Sequence, residues 1–300
     1  MRYPFLFIVA LSIACGQTAC RKDPVVQILH SDTTVTGNHP PNYTGVPTIK
    51  VQLYVNKLYV DMLGREPTAT ELQTATDQLI AQQLTSGARG QVVDQLFGDT
   101  SYYRRLYELT SADFLNGSGN TQIDESTAQF QLALYLDSLN ADTLYDFVYR
   151  AELDRLGKLK SATQDLTTNA IDVNEYYRRF LDNYLYDQIN MGSENFVKAS
   201  FDDLFRRQPT TAELAAGVSM LDNAPGVLLL TDGNNKGDFM NIVTHADAFY
   251  EGLSRKIYLQ LLLREPQSEE LGAAVALVKP SADYKALQKQ ILTSTEYAGF

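Results

Sequence analysis

Tryptophan is absent from this chain of 300 residues, cysteine occurs twice and histidine three times. Both cysteines, Cys15 and Cys20, lie in the first twenty residues, so no thiol remains downstream for a disulfide or a nucleophile. His30 and His39 stand near the start and His245 stands alone, which leaves no His/Cys metal cluster and no Cys–His pair to assemble. His245, two residues before Asp247, reads as a solvent-facing or capping residue. There is no Gly-x-Ser-x-Gly elbow, phosphate loop or dinucleotide fingerprint, and thus no catalytic residue to single out and no cofactor to expect. Basic residues number 25 against 36 acidic, a net charge of -11, and they form no block. A nucleic-acid partner is therefore not expected. The missing tryptophan argues against a stacking sugar site, whereas 18 tyrosines and 13 phenylalanines suit helix packing.

One segment imitates a calcium loop. Asp232-Gly-Asn234-Asn-Lys236-Gly237-Asp238 has oxygen donors at positions one and three and glycine at six. Lysine holds the fifth position, however, and Val243 replaces the bidentate glutamate at twelve. The segment reads as a hydrophilic loop between helices, with no metal.

The first residues are informative by what they contain. A positive start at Arg2, an apolar run from Phe5 to Leu11 and small residues before each cysteine form an export signal. The run is far shorter than the roughly 20 apolar residues that cross a bilayer. Ser12-Ile13-Ala14-Cys15 and Gln17-Thr18-Ala19-Cys20 both resemble the box of bacterial lipoprotein signals, in which the cysteine is lipidated. Cys20, followed by Arg21-Lys22-Asp23 and a polar stretch, is similar to lipoproteins of the Bacteroidetes type and is the favoured lipidation site. Cys15 is the alternative, and an ordinary secretory signal with incidental cysteines is the other reading. The resemblance implies a signal over 1–19, a membrane partner held through lipid chains, and a place in the cell envelope, at the outer membrane. Residues 20–50, rich in Ser, Thr, Gly and Pro with few aliphatics, read as a tether, or as an irregular arm on the body.

Beyond the tether the apolar period is helical. Leu53, Tyr54, Leu58, Tyr59 and Met62-Leu63 share a helix face that stops at Gly64-Arg65-Glu66-Pro67. Thr68 and Glu71 then form a capping box before Leu72, Ala75, Leu79 and Ile80. The pattern recurs around Arg207 and Pro209, with Thr210 and Glu213, and around Arg264 and Pro266, where Gln267 takes the threonine position. Each copy predicts a later helix ending at an aromatic: Val92 to Tyr102-Tyr103, Phe239 to Phe249-Tyr250, and Tyr284 to Tyr297. The arginines Arg65, Arg207 and Arg264 either tie up corner carbonyls and the glutamate after the cap, or form an exposed row for an acidic partner.

Leu-Tyr-x-x-x-Leu-Gly-Arg-Glu-Pro-Thr in the first copy and Ser294-Thr-Glu296-Tyr297 in the third resemble a helical repeat of extracellular bacterial proteins related to phycobilisome linker domains. A similar Leu-x-Arg-x-Pro-x-x-Glu-Leu corner occurs in planctomycete-type secreted proteins that accompany cytochrome-like modules. The resemblance covers about 57–107 and 196–300. It implies an all-α body and a surface or matrix role, without an assigned activity. No Cys-x-x-Cys-His is present, which excludes a haem module of that companion type.

The middle of the chain continues helically over 128–160, with loops expected at Asp113–Asp124 and Ser161–Ala170. Tyr176-Tyr177-Arg178-Arg179-Phe180 nearly repeats Tyr102-Tyr103-Arg104-Arg105-Leu106 and predicts an aromatic helix facing the core. The expected organisation is thus an all-α, multi-helix body of repeated helix–(Arg-x-Pro corner)–helix units. A first repeat region spans 51–125, a helical insert 126–171, and the second and third repeats 172–300. The expected function is a lipid-anchored, non-enzymatic interaction or scaffold module for an envelope protein or matrix component. The alternative is an envelope or polysaccharide-processing hydrolase or lyase with a carboxylate/tyrosine cleft.

Overall fold

The three- and four-residue apolar spacing produces fifteen α-helices in the described residues, joined by one small two-stranded ribbon. The computed structural model describes residues 45–300 apart from Asp142; Cys15, Cys20, His30, His39, the signal and most of the tether lie outside them. These residues form a single compact unit.

Helix α1 (Thr48–Leu63) buries Val51, Tyr54, Val55, Leu58, Tyr59, Met62 and Leu63. Leu53, expected on that face, points outward with 60% of its surface exposed. Gly64 ends the helix at φ 69°, a left-handed conformation that costs glycine little. Helix α2 (Ala69–Ala81) folds back on α1, burying Ala75 and Leu79 but leaving Ile80 exposed.

Each predicted helix ending in an aromatic is broken in two. Helix α3 (Ser86–Phe97) stops, and Asp99 starts α4 (Thr100–Phe114) by accepting the Ser101 N–H at 2.7 Å. Helix α11 (Lys236–His245) is parted from α12 (Asp247–Leu262) by the extended Ala246. Helix α14 (Tyr284–Leu292) gives way to α15 (Thr295–Ala298) where Ser294 caps Tyr297. Asp99 and Ser294 offer the backbone local side-chain bonds that compete with helix continuation. Tyr102, Phe249 and Tyr297 therefore sit in the first turn of a new helix, and all three are buried.

The first and last regions share one core. Tyr54 donates to the Leu292 carbonyl at 3.0 Å and meets Tyr297 and Phe300 edge-on. Tyr297 donates to Asp61 at 2.8 Å, and Tyr102 to Gln288 at 2.6 Å. Helices α9 (Ser193–Phe205) and α12 cross closely at Gly252, where an added Cβ would lie 2.0 Å from the Leu204 carbonyl oxygen. The aromatic helix α7 (Val173–Leu181) buries Tyr176, Tyr177 and Phe180, as its spacing predicts. Its Asn174 amide donates to the Thr244 carbonyl and the Tyr250 hydroxyl, tying α7 to α11 and α12. Helix α8 (Tyr184–Ile189) adds buried Tyr186 beside Phe114.

Three expected loops differ. Asp113–Asp124 contracts to residues 115–119, because α5 (Asn120–Asn140) begins sooner. Ser161–Ala170 is helical to Thr167, as part of α6 (Asp146–Thr167). There Leu156, Leu159, Ala162 and Leu166 keep the helical period and are buried, which outweighs the polar composition between them. The calcium-like segment is half strand: β1 (Gly226–Leu228) pairs antiparallel with β2 (Thr231–Gly233), and Asn235 caps α11. The turn residues Leu229 and Leu230 both have positive φ, 50° and 66°, which bulky side chains seldom adopt and no turn signal announces. The remaining helices are α10 (Thr211–Leu221) and α13 (Ser268–Val278).

Candidate functional site

The three corners carry the same bonds. Arg65 donates to the Glu66 carbonyl at 3.2 Å and, with both terminal nitrogens, to Glu71 at 2.9 and 2.8 Å. Arg207 repeats this with the Gln208 carbonyl at 3.2 Å and Glu213 at 2.9 and 2.6 Å. Arg264 does so with the Glu265 carbonyl at 3.1 Å and Glu270 at 2.8 and 2.7 Å. Each glutamate also accepts the N–H of the cap residue, Thr68, Thr210 or Gln267, at 2.7 Å. Thr68 and Thr210 complete the box with their hydroxyls, as their spacing predicts, whereas the Gln267 side chain makes no cap bond.

Six residues before each arginine a ring lies under the guanidinium: Tyr59 at 5.3 Å, Phe201 at 5.2 Å and Tyr258 at 5.5 Å. The residue just before each arginine, Gly64, Arg206 or Leu263, is left-handed. The prolines follow two positions on, where no N–H is used. Pro67 and Pro209 are half-buried and Pro266 is buried. The arginine hydrogen bonds, aided by the cap contacts, hold Glu71, Glu213 and Glu270 down at about 2.

The corners differ in their second partners. Arg65 reaches Asp99 at 3.3 Å and Arg264 reaches Glu296 at 2.6 Å, so each ties its corner to the helix break downstream. Arg207 pairs with Glu213 alone among the described residues and is the most exposed of the three. The second and third corners border one cleft of about 510 Å³, to which Arg206, Arg207 and Glu265 contribute; the first corner does not line it.

That cleft holds a carboxyl that sequence reasoning missed. Asp203, half-buried near the end of α9, accepts the Tyr186 hydroxyl at 2.8 Å. Burial, reinforced by the Asp202 and Asp113 carboxylates, pushes it up to about 6 against the opposing tyrosine bond and Lys256. Asp113 and Glu251 also line the cleft, and Lys256 pairs with Asp113 at 2.7 Å. Such a group can donate a proton near neutral pH. The only trace in sequence is Asp202-Asp203 beside apolar Phe201 and Leu204, which shows neither burial nor the tyrosine.

A larger cleft, about 690 Å³, runs between α3, the α6–α7 connection and the start of α14. Its lysines are engaged: Lys285 with the Tyr103 hydroxyl at 2.5 Å and Lys289 with Asp94 at 2.7 Å. At the calcium-like segment, Asp238 accepts from the Asn234 N–H and the Asn235 amide, both at 2.9 Å. Among the described residues no group of three or more His, Cys, Asp or Glu is placed to hold a metal ion. His245 is exposed at the end of α11, its Nδ1 2.9 Å from the Asn241 carbonyl. Compared with family models, curated proteins and solved structures, the chain finds no match.

Proposed function

We propose that this chain is a lipid-anchored cell-envelope protein whose helical body serves as a non-enzymatic interaction or scaffold module. The observation that carries the reading is the distribution of unsatisfied surface. The corner arginines and glutamates are spent on one another, whereas α5 and α6 leave Leu132, Tyr135, Leu136, Leu139 and Phe147 exposed. Apolar surface gathered at one place is a mark of an interaction site. The shared bond pattern of the corners supports a body built from repeated Arg-x-Pro units, akin to the extracellular repeat related to phycobilisome linker domains. On this reading the corners are structural devices, Cys20 is the lipidated residue, and an envelope protein or matrix component at the outer membrane is the partner.

Cys20→Ser tests the anchor. The variant is expected in the soluble fraction with unchanged helix content, while the parent fractionates with membranes. Mass analysis that finds the acyl chains on Cys15 would move the anchor, and an unacylated mature N-terminus would end the lipoprotein reading.

Asp203 favours a second reading, an envelope or polysaccharide-processing hydrolase or lyase. In it Asp203 supplies the proton, and one of the other cleft carboxylates acts as base or nucleophile. Glycan cleavage by the purified protein that disappears in Asp203→Asn would favour it; no cleavage of envelope polysaccharide by either protein would remove it.

A further inference from the structure

The hairpin of α5 and α6 carries a seam. Ala128, Leu132, Tyr135 and Leu139 are all exposed, and their spacing of four, three and four residues lines them along one edge of α5. Leu136 lies beside them, and Phe147, 74% exposed, stands in the first turn of α6. Residues 126–136 contain no charged side chain, an unusual run for the outer face of a helix in a chain that is one-fifth charged. The inner side of α5 has its own partners: Phe130 packs on Tyr149 and Tyr184.

A four–three–four apolar edge is the pattern that accepts another helix by knobs-into-holes packing. A lipid surface fits it less well. Helices that lie in a bilayer interface carry basic residues on the polar face, whereas Asp124, Glu125 and Asp137 flank this seam. The exposed parts of Leu132, Tyr135, Leu136, Leu139, Tyr145 and Phe147 are on the order of the ~800 Å² that each partner contributes to a stable protein interface. Along 126–136 the edge carries no charge to repel its own image, and a two-fold axis lets the same edge serve both sides.

We infer that the α5–α6 hairpin pairs with the same hairpin of a second copy of this chain, forming a four-helix contact. The inference rests on the reading of this hairpin as the interaction surface and names its partner. Anchoring both copies in one membrane would raise their effective concentration.

The test uses the full-length protein extracted in mild detergent. Sedimentation is expected to give a dimer for the parent and a monomer for Leu136→Glu/Leu139→Glu, with equal helix content, and with a melting temperature that rises with protein concentration in the parent only. In intact membranes, single Leu132→Cys and Leu139→Cys variants should be joined by a short bismaleimide, and Glu269→Cys, on the exposed face of α13, should not. A parent that sediments as a monomer, or a glutamate variant that stays dimeric, overturns the inference. A monomer that loses a different envelope protein on Leu136→Glu/Leu139→Glu substitution also overturns it, while leaving the scaffold reading in place. So does a monomer whose 132–139 amides exchange faster once residues 1–44 are removed, since the chain would then cover its own seam. A dimer that persists in a protein found without acyl chains would instead keep the inference and end the anchor.

Discussion

Helix α1 buries seven side chains in sixteen residues, whereas the longer α5 buries two in twenty-one. Both have apolar residues at helical spacing, so the difference lies in what the rest of the chain brings to them. Against α1 come α2, α4, α3 and, through Tyr54 and Asp61, the returning C-terminal helices, and fully burying each large side chain contributes about 1.5–3 kcal/mol before entropy. Against α5 comes α6 alone for most of its length. The polar groups follow the same division. Each corner closes its arginine on a glutamate six residues on, and two of them reach one further carboxylate, while the hairpin leaves apolar surface to the solvent. Buried apolar surface is concentrated in the corner-bearing regions, and exposed apolar surface in the hairpin.

The sharpest break of this contrast is at Gly252. Its Cβ position lies 2.0 Å from the Leu204 oxygen, so Gly252→Ala must push α12 away from α9 against backbone that cannot rotate aside. We expect a loss of about 3 kcal/mol or more, read as a lower urea midpoint. An unchanged midpoint would mean that the two helices cross more loosely than described.

The corners should yield the next effect. Arg65→Ala removes a carbonyl bond, a bidentate carboxylate pair and a contact to Asp99, and is expected to cost about 1–3 kcal/mol. Arg207→Ala should cost less, because that arginine is more exposed and lacks a second carboxylate among the described residues; exposed pairs contribute ~0–1 kcal/mol. Equal midpoints for Arg65→Ala and parent, with loss of a bound partner, would show the corner to be an interface.

Much of this division was legible beforehand. The Thr68–Glu71 and Thr210–Glu213 boxes, the corner prolines and the aromatic face of α7 depend on neighbours within a few residues, and the sequence carries them openly. The outward turn of Leu53 and Ile80 was not legible, because which edge of an apolar face meets a neighbour depends on helices distant in the chain. Nor was the ribbon, whose turn at Leu229-Leu230 lacks the Asn or Gly that such a turn favours. Asp203 was hidden for the same reason as Leu53. Its shift comes from burial and from the Asp202 and Asp113 carboxylates, against the bond from Tyr186, seventeen residues away.

The corners and the cleft respond to pH with opposite signs. Glu71, Glu213 and Glu270 are held at about 2, below their free value, so their contribution is present above pH ~4.5 and is lost as pH falls towards 2. Asp203 is raised to about 6. The folded state therefore binds its proton more tightly than the unfolded chain does, and its charge costs stability above pH 6. Lowering the pH from 7 to about 4.5 should return up to about 2 kcal/mol, and Asp203→Asn should abolish that rise. Urea midpoints at pH 7 and 4.5 measure it, and a rise that survives in Asp203→Asn would assign it elsewhere.

The smallest effect contrasts one glycine with another. Gly157, like Gly252, lies inside a helix, but it is exposed on α6 and an added Cβ there meets nothing within 4 Å. Alanine lowers the backbone entropy of the unfolded chain without a clash, so Gly157→Ala should stabilise by ~0.5–1 kcal/mol. Where that gain appears is the informative part. Leu156 and Leu159, on either side, are buried in the body, so α6 at this level should unfold with the whole. A raised global midpoint is then expected. If the gain appears only as slower amide exchange along α6, with the midpoint unmoved, the hairpin opens independently of the body. The boundary between the stable regions and the available one would then fall below Gly157, closer to Leu166.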